Sequence, residues 1–343
     1  MDPQLRLFHR QYLQLFEPDF LAWPPKPLLR DPVVQSWLYS NLFDAEKCSI
    51  LPSNRYQLRV LKPLLARIEK AAEDPEDDEI SDALMSHLSS LMALNLPTET
   101  TAVQQKSYVT FTCLPPSFTG YDSDVAEPTI TLLERRHLIS GSLTTGFRTW
   151  EAALHLGSYL LTPQGRGLIR GKSILELGAG TGFLGILAAK HLAASHVTTT
   201  DGDEGVVEAL KENMELNGLK DEKEMRASAL RWGADLEGTC VEVDSQQWPY
   251  DVVLGADITY DKVAISALVD TLRSLFELRP SLHVVISGAV RNLETFETFR
   301  SACISSKFGI EEIDFKPKSI REQTSLFYAT TVPLKIMSIT APT

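Results

Sequence analysis

The chain has 343 residues, 43% of them hydrophobic, and a formal net charge of -12, so it can bury a sizeable core as one large domain with an appendage or as two domains. The excess of acid excludes a general affinity for phosphate backbones, which rests on Lys and Arg displacing counterions, and no direct nucleic-acid partner is expected. The four cysteines, Cys48, Cys113, Cys240 and Cys303, stand apart without CxxC spacing, which excludes a zinc site or a disulfide framework and leaves no metal expected.

The opening MDPQLRLFHRQYLQLF lacks the unbroken apolar stretch of a signal peptide, and no run reaches the roughly eighteen apolar residues of a membrane helix. A reduced, cytoplasmic protein is expected. From Gln4 to about Leu96, apolar residues recur at helical spacing: Leu5, Phe8, Tyr12 and Phe16, then Val34, Trp37, Leu38 and Leu42, then Leu58 through Ile68, then Leu84, Leu88 and Leu91. Prolines from Pro24 to Pro27 and at Pro97 punctuate them. This spacing predicts a helical N-terminal region over 1–104, a candidate for substrate recognition or a lid that stabilises the rest. SYVTFTCL and TITLLERR flank the turn-rich PPSFTGYDSD and predict a bridging β-hairpin over 105–140.

From Thr149 the texture becomes strand and helix in alternation, with strands SILELG, HVTTTD, MRASALRW, YDVVLGAD and LHVVISGA. GIEEIDF and SLFYATTVPL then follow one another without a helix. Near-continuous apolar strands between amphipathic helices specify an α/β domain over 141–343, a parallel sheet covered on both faces and closed by an antiparallel pair.

In such a sheet a ligand lies beyond the carboxyl ends of the strands, at the first strand-to-helix turn. That turn is SILELGAGTGFLG. It matches GxGxxG at Gly180, Gly182 and Gly185, and Asp201 stands about twenty residues on, as a dinucleotide site requires. The last apolar residue of the strand is Leu177, however, so the turn begins at Gly178 and the register is GxGxG. Glu176 then lies inside the strand, where a carboxylate can reach the cationic amino-acid end of S-adenosylmethionine; NAD has no such end. Asp201, at the tip of the second strand, can bind both ribose hydroxyls or cap the helix that follows. GADITYD places Ala256 and Asp257 at the pocket rim with Tyr260 three residues on, although a cap and a core aromatic would read the same.

GFRTWEAALHLGSYL, LELGAGTGFLG, ALRW, GADITYD and VRNLETFETF together resemble the seven-stranded protein lysine methyltransferases, and most closely the elongation factor 2 lysine methyltransferases of eukaryotes. The resemblance runs from about Ser140 to the end. It implies a Rossmann-like seven-stranded methyltransferase sheet, S-adenosylmethionine as cofactor and a folded protein substrate, with cofactor contacts at Trp150, Gly178, Ala179, Gly180, Trp232 and Ala256 and the ribose on Asp201. Asp257 and Tyr260 resemble the family's DxxY signature beside the methyl-transfer site. Without the resemblance, Trp150 and Trp232 read as core tryptophans. Relatives often carry an acid before the second tryptophan, where this chain has Arg231, so stacking on Trp232 is left to hold the adenine.

The implied reaction is in-line displacement at a sulfonium methyl by a neutral lysine amine, whose pKa of about 10.4 must fall. Burial and the sulfonium charge lower it; a carboxylate at Asp257 would raise it, so orientation is the expected role of that residue. A monomer is expected. A nicotinamide-dependent oxidoreductase is the alternative enzyme, and a fold retained for binding without turnover the alternative outside enzymes. The target lysine, the number of methyl groups and the roles of Arg291 and Asn292 stay open.

Overall fold

The computed structural model describes residues 2–73, 78–95, 105–118, 126–135 and 145–342. Pro97, most of the predicted hairpin turn and the predicted boundary at 140/141 lie outside these residues. The chain divides into two compact units, one holding it up to Phe111 and the other nearly all of the rest.

The first unit is helical, as the spacing predicts: Pro3–Leu13, Lys26–Arg30, Pro32–Leu42, Asn54–Glu69 and Asp82–Ala93. Local chemistry sets the starts. Asp2, Asp31 and Ser53 each accept from a backbone N–H of the first turn, and Pro3 and Pro32 occupy positions where a missing N–H costs nothing. The apolar stripes meet in a core with Phe8, Tyr12, Leu38, Leu42 and Leu64 buried. The buried Tyr12 hydroxyl donates to Leu42 O at 2.8 Å, which satisfies the polar group that burial would otherwise penalise.

Both segments predicted as the hairpin strands are strands, β1 (Ser107–Thr112) and β2 (Thr129–Glu134). In the second unit, β3 (Ser173–Leu177), β4 (His196–Asp201), β5 (Met225–Ala229), β6 (Val252–Ala256), β7 (His283–Ala289), β8 (Gly309–Ile313) and β9 (Leu334–Thr340) form one sheet in the order β5-β4-β3-β6-β7-β9-β8. All pairings are parallel except those of β9 with β7 and with β8. The antiparallel closure is as expected, but the final strand is Leu334–Thr340, not SLFYATTVPL.

Side-chain alternation sorts the two faces of the sheet. Leu175, Leu177, Val253, Val284 and Ile286 join Leu268, Leu272 and Phe299 of the helices Lys262–Leu278 and Leu293–Ser305 in one core. Glu176 alternates with Leu175 and Leu177 and so turns to the other face, where the helix Phe183–His191 begins. The chain runs from β3 outward to β4 and β5, then returns to β6 on the opposite side of β3. The strand order therefore reverses between β3 and β6, which is where a crevice opens in a doubly wound sheet.

Candidate active site

That crevice is a cleft of about 430 Å³, within the usual range for a small-molecule site. Every proposed cofactor residue, Trp150, Glu176, Gly178, Ala179, Gly180, Asp201, Trp232 and Ala256, lines it, as do Asp257 and Tyr260. Residues scattered over more than a hundred positions thus share one wall.

The glycine loop is held in a conformation that L side chains resist. Gly178, Gly180 and Gly182 take φ of +63°, +54° and +83°. A Cβ on Gly178 would stand 2.6 Å from Ile258 Cγ2 and 3.2 Å from Trp232 Cζ2, so the loop lies flat against the cleft wall only because that side chain is absent. Ala179 N donates to Thr200 O and Gly180 N to Asp201 Oδ2, at 2.9 and 3.1 Å. Both tie the turn to the tip of β4.

The Glu176 carboxyl is buried at the floor of the cleft and accepts from Gly185 N at 2.9 Å. Burial pushes its pKa up to about 8, partly offset by that hydrogen bond and reinforced by the neighbouring Asp201. No cationic side chain among the described residues pairs with it. Asp201 is likewise raised, chiefly by burial, against the opposing hydrogen bonds from Asp203 N and Gly180 N. Asp201 is not the helix cap: Asp203 has that task, accepting from Val206 N at the start of Glu204–Leu216.

At the rim, Asp257 is in the left-handed region at φ +56°, a conformation that Asp tolerates better than most residues. Its carboxylate accepts from Arg291 Nη1 at 3.1 Å, from Arg291 Nη2 at 2.9 Å and from Ala289 N at 3.3 Å. Arg291 Nη2 also faces Glu151 Oε2 at 3.6 Å, and Glu151 Oε1 accepts from Arg148 Nη2 at 3.0 Å. The guanidiniums of Arg148 and Arg291 lie 4.8 and 5.4 Å from the Trp150 ring, whose N–H donates to Thr145 O. Trp150 is thus part of the cleft wall and not a core tryptophan. Tyr260 is 62% exposed, and the next helix begins only at Lys262, so it is no core aromatic either.

Sequence reasoning left Arg291 and Asn292 open. Asn292 caps the helix Leu293–Ser305 by accepting from Thr295 N, whereas Arg291 belongs to the site. It also missed a hydroxyl chain behind the loop. Thr149 Oγ1 donates to the buried Glu134 at 2.5 Å and is 2.7 Å from Thr181 Oγ1. A hydroxyl has one proton to give, so Thr181 donates to Thr149. Arg291 lies just past β7 and Asp257 just past β6, and only the pairing of those strands brings them together; nothing in the sequence pointed to Glu134.

The sheet order and the glycine-lined crevice at its reversal define a Rossmann-like methyltransferase fold. Residues 138–301 match the family model described as lysine methyltransferase. Over 338 residues, 98% of each chain, the sequence is 45% identical to the protein-lysine N-methyltransferase EFM3 of Chaetomium thermophilum. Over 296 residues, 80% of each chain, it is 30% identical to the protein of the same name from Saccharomyces cerevisiae. Over 225 residues, 62% of this chain and 64% of the other, it is 28% identical to the human protein-lysine N-methyltransferase EEF2KMT. The chain belongs to the lysine methyltransferase family and is a protein-lysine N-methyltransferase.

Proposed function

We propose that the cleft binds S-adenosylmethionine and that the enzyme, a cytoplasmic monomer, methylates a lysine of translation elongation factor 2. Glu176 carries the cofactor reading: a carboxyl enclosed at the floor of a nucleoside-sized cleft, with no cation paired to it among the described residues, fits the ammonium of the methionine moiety. A nicotinamide dinucleotide would leave that carboxyl with only its bond from Gly185 N and no cationic partner. The sequence resemblance and the name of the human relative support the target.

When bound, the cofactor would supply a methyl on a positively charged sulfur for transfer to a lysine nitrogen that has lost its proton to water, with a neutral thioether as leaving group. The side chains of the cleft bind and orient. Asp201 accepts from the N–H groups of Gly180, Asp203 and Gly202, and its remaining lone-pair capacity is left for the ribose. Gly178, Ala179 and Gly180 allow close backbone approach, and Trp232 and Ala256 flank the adenine. Trp150 would contact the cofactor, Tyr260 would wall the channel for the lysine methylenes, and Asp257 fixes the rim.

The N-terminal unit is the surface we assign to recognition of the folded substrate. Its Phe20 and Val33 side chains are 69% and 76% exposed. Replacing both with Ser is expected to lower protein methylation while leaving cofactor affinity unchanged; equal loss of both would assign the unit a scaffold role. The test of the whole reading is incubation with labelled S-adenosylmethionine and cytosolic extract. Label on a lysine of elongation factor 2 is the expected result; label on another protein would replace the target, and fluorescence quenching by NAD alone would replace the cofactor.

A further inference from the structure

Orientation is the role expected of the Asp257 carboxylate, and its acceptor capacity is largely spent within the protein. A carboxylate offers about four lone-pair positions, and three donors already occupy Asp257: Ala289 N and both arms of the Arg291 fork. Its side chain is 8% exposed, that of Arg291 44%. The cation is thus the more solvent-accessible member of the pair.

Any carboxylate left uncompensated in this wall would stabilise the charged form of the lysine and deplete the neutral amine that reacts. The charged groups around Arg291 are Asp257 from the end of β6, Glu151 from the helix Glu151–Leu160, and Arg148 from the loop before it. Lys262 and Glu294, at the starts of the two neighbouring helices, pair with each other at 2.6 Å. Asp257, Arg291, Glu151 and Arg148 alternate in sign and sum to zero. Without Arg291 the same four positions would carry one net negative charge.

We infer that Arg291 is a positioning residue for methyl transfer, which holds Asp257 in place by its fork and cancels the charge that would otherwise keep the target lysine protonated. This rests on the methyltransferase reading of the cleft, but not on the identity of the protein substrate.

The experiment uses the full-length chain, labelled S-adenosylmethionine and cytosolic extract freed of cofactor, with label counted as methyl-lysine after hydrolysis. The band that carries label tests the substrate; the pH dependence tests Arg291. The readout is the ratio of Arg291→Gln activity to wild-type activity at each pH, so that effects of pH on the extract cancel. The ratio at pH 7 is expected to lie about tenfold below its high-pH plateau, for an amine pKa raised by one unit, and to climb above pH 10 to the pH-independent level set by loss of the fork. Arg291→Lys keeps the charge and loses the fork, so its ratio is expected to stay flat across pH. A flat ratio for Arg291→Gln, an equal slope in both variants, or loss of cofactor affinity in step with activity would overturn the inference.

Discussion

Asn217 binds β2 as another strand would: its side-chain amide donates to Thr131 O at 2.7 Å and accepts from Thr131 N at 3.1 Å. One turn earlier, Asn213 accepts from Leu133 N and donates to Thr181 O in the glycine loop. Two asparagines on the helix Glu204–Leu216 and its cap thus supply the ladder that this face of β2 needs. Asn217→Ala removes both bonds to Thr131, the one to Asn213 O and the one accepted from Lys190 Nζ, at a half-buried strand. The expected cost is about 2–3 kcal/mol, read as a lower urea midpoint with an unchanged slope.

Glu176 makes the empty protein less stable as pH rises. Its pKa is about 8 when folded against an ordinary value of 4.5, so between those values the folded state holds a proton that the unfolded chain has released. Unfolding is then favoured progressively across that window, the reverse of a paired carboxylate. Glu176→Gln imitates the protonated acid, so its Tm is expected to gain on the wild type between pH 5 and pH 8.5 by several degrees.

The same carboxyl makes cofactor binding release a proton. A cationic ligand favours ionised Glu176, and at pH 7 the proton that leaves must pass to buffer. Calorimetry of S-adenosylmethionine binding in phosphate and in Tris should give different enthalpies, with the difference largely lost in Glu176→Gln. Equal enthalpies in both buffers for the wild type would remove Glu176 from the ligand's ammonium.

Asp257→Ala takes away the acceptor of the Arg291 fork and of Ala289 N, and puts a residue without local hydrogen bonding at φ +56°. Transfer is expected to fall about a hundredfold or more, corresponding to roughly 3 kcal/mol of lost transition-state stabilisation. Cofactor affinity by isothermal titration should change less than about threefold on the same scale. An affinity loss as deep as the activity loss would put Asp257 among the cofactor contacts.

The parts of the molecule legible in the sequence are those that neighbours along the chain decide. β3 and β6 were found because buried strands are nearly continuous apolar runs, β4 by its β-branched Val and Thr residues, and the loop after β3 because three glycines mark backbone that other residues resist. The final strand was misplaced because Ser325 to Val332 is as rich in aromatic and β-branched residues as a strand. A side chain organises that segment instead: Gln323 bonds both the N–H and the carbonyl of Tyr328, and Leu326 has φ +46°. The helix Cys240–Gln247 went unseen although Thr239 and Glu242 cap it reciprocally, Thr239 accepting from Glu242 N and Glu242 from Gly238 N, because no apolar stripe accompanies the signal. Arg291 was illegible for another reason. Its partner is 34 positions away, and only the parallel pairing of β6 with β7 makes them neighbours.

Gly185 joins two readings of the loop, because it completes GxGxxG and yet its hydrogen is needed whatever nucleotide binds. A Cβ there would overlap Thr199 Cγ2 and stand 2.7 Å from Glu176 Oε2 and 2.9 Å from Met225 Cε. Gly185→Ala gains about 1 kcal/mol of helix propensity, but the surroundings cannot yield: Thr199 and Met225 are fully buried in adjacent strands, and such overpacking costs about 1–3 kcal/mol. The net expectation is a modest loss of thermal stability. The larger effect falls on the ligand, since the intruding methyl displaces the carboxyl that Gly185 N now holds. S-adenosylmethionine affinity should therefore drop about tenfold or more, about 1.4 kcal/mol, while Tm falls by only a few degrees. Unchanged affinity in a folded variant would mean that the position of Glu176 does not govern binding.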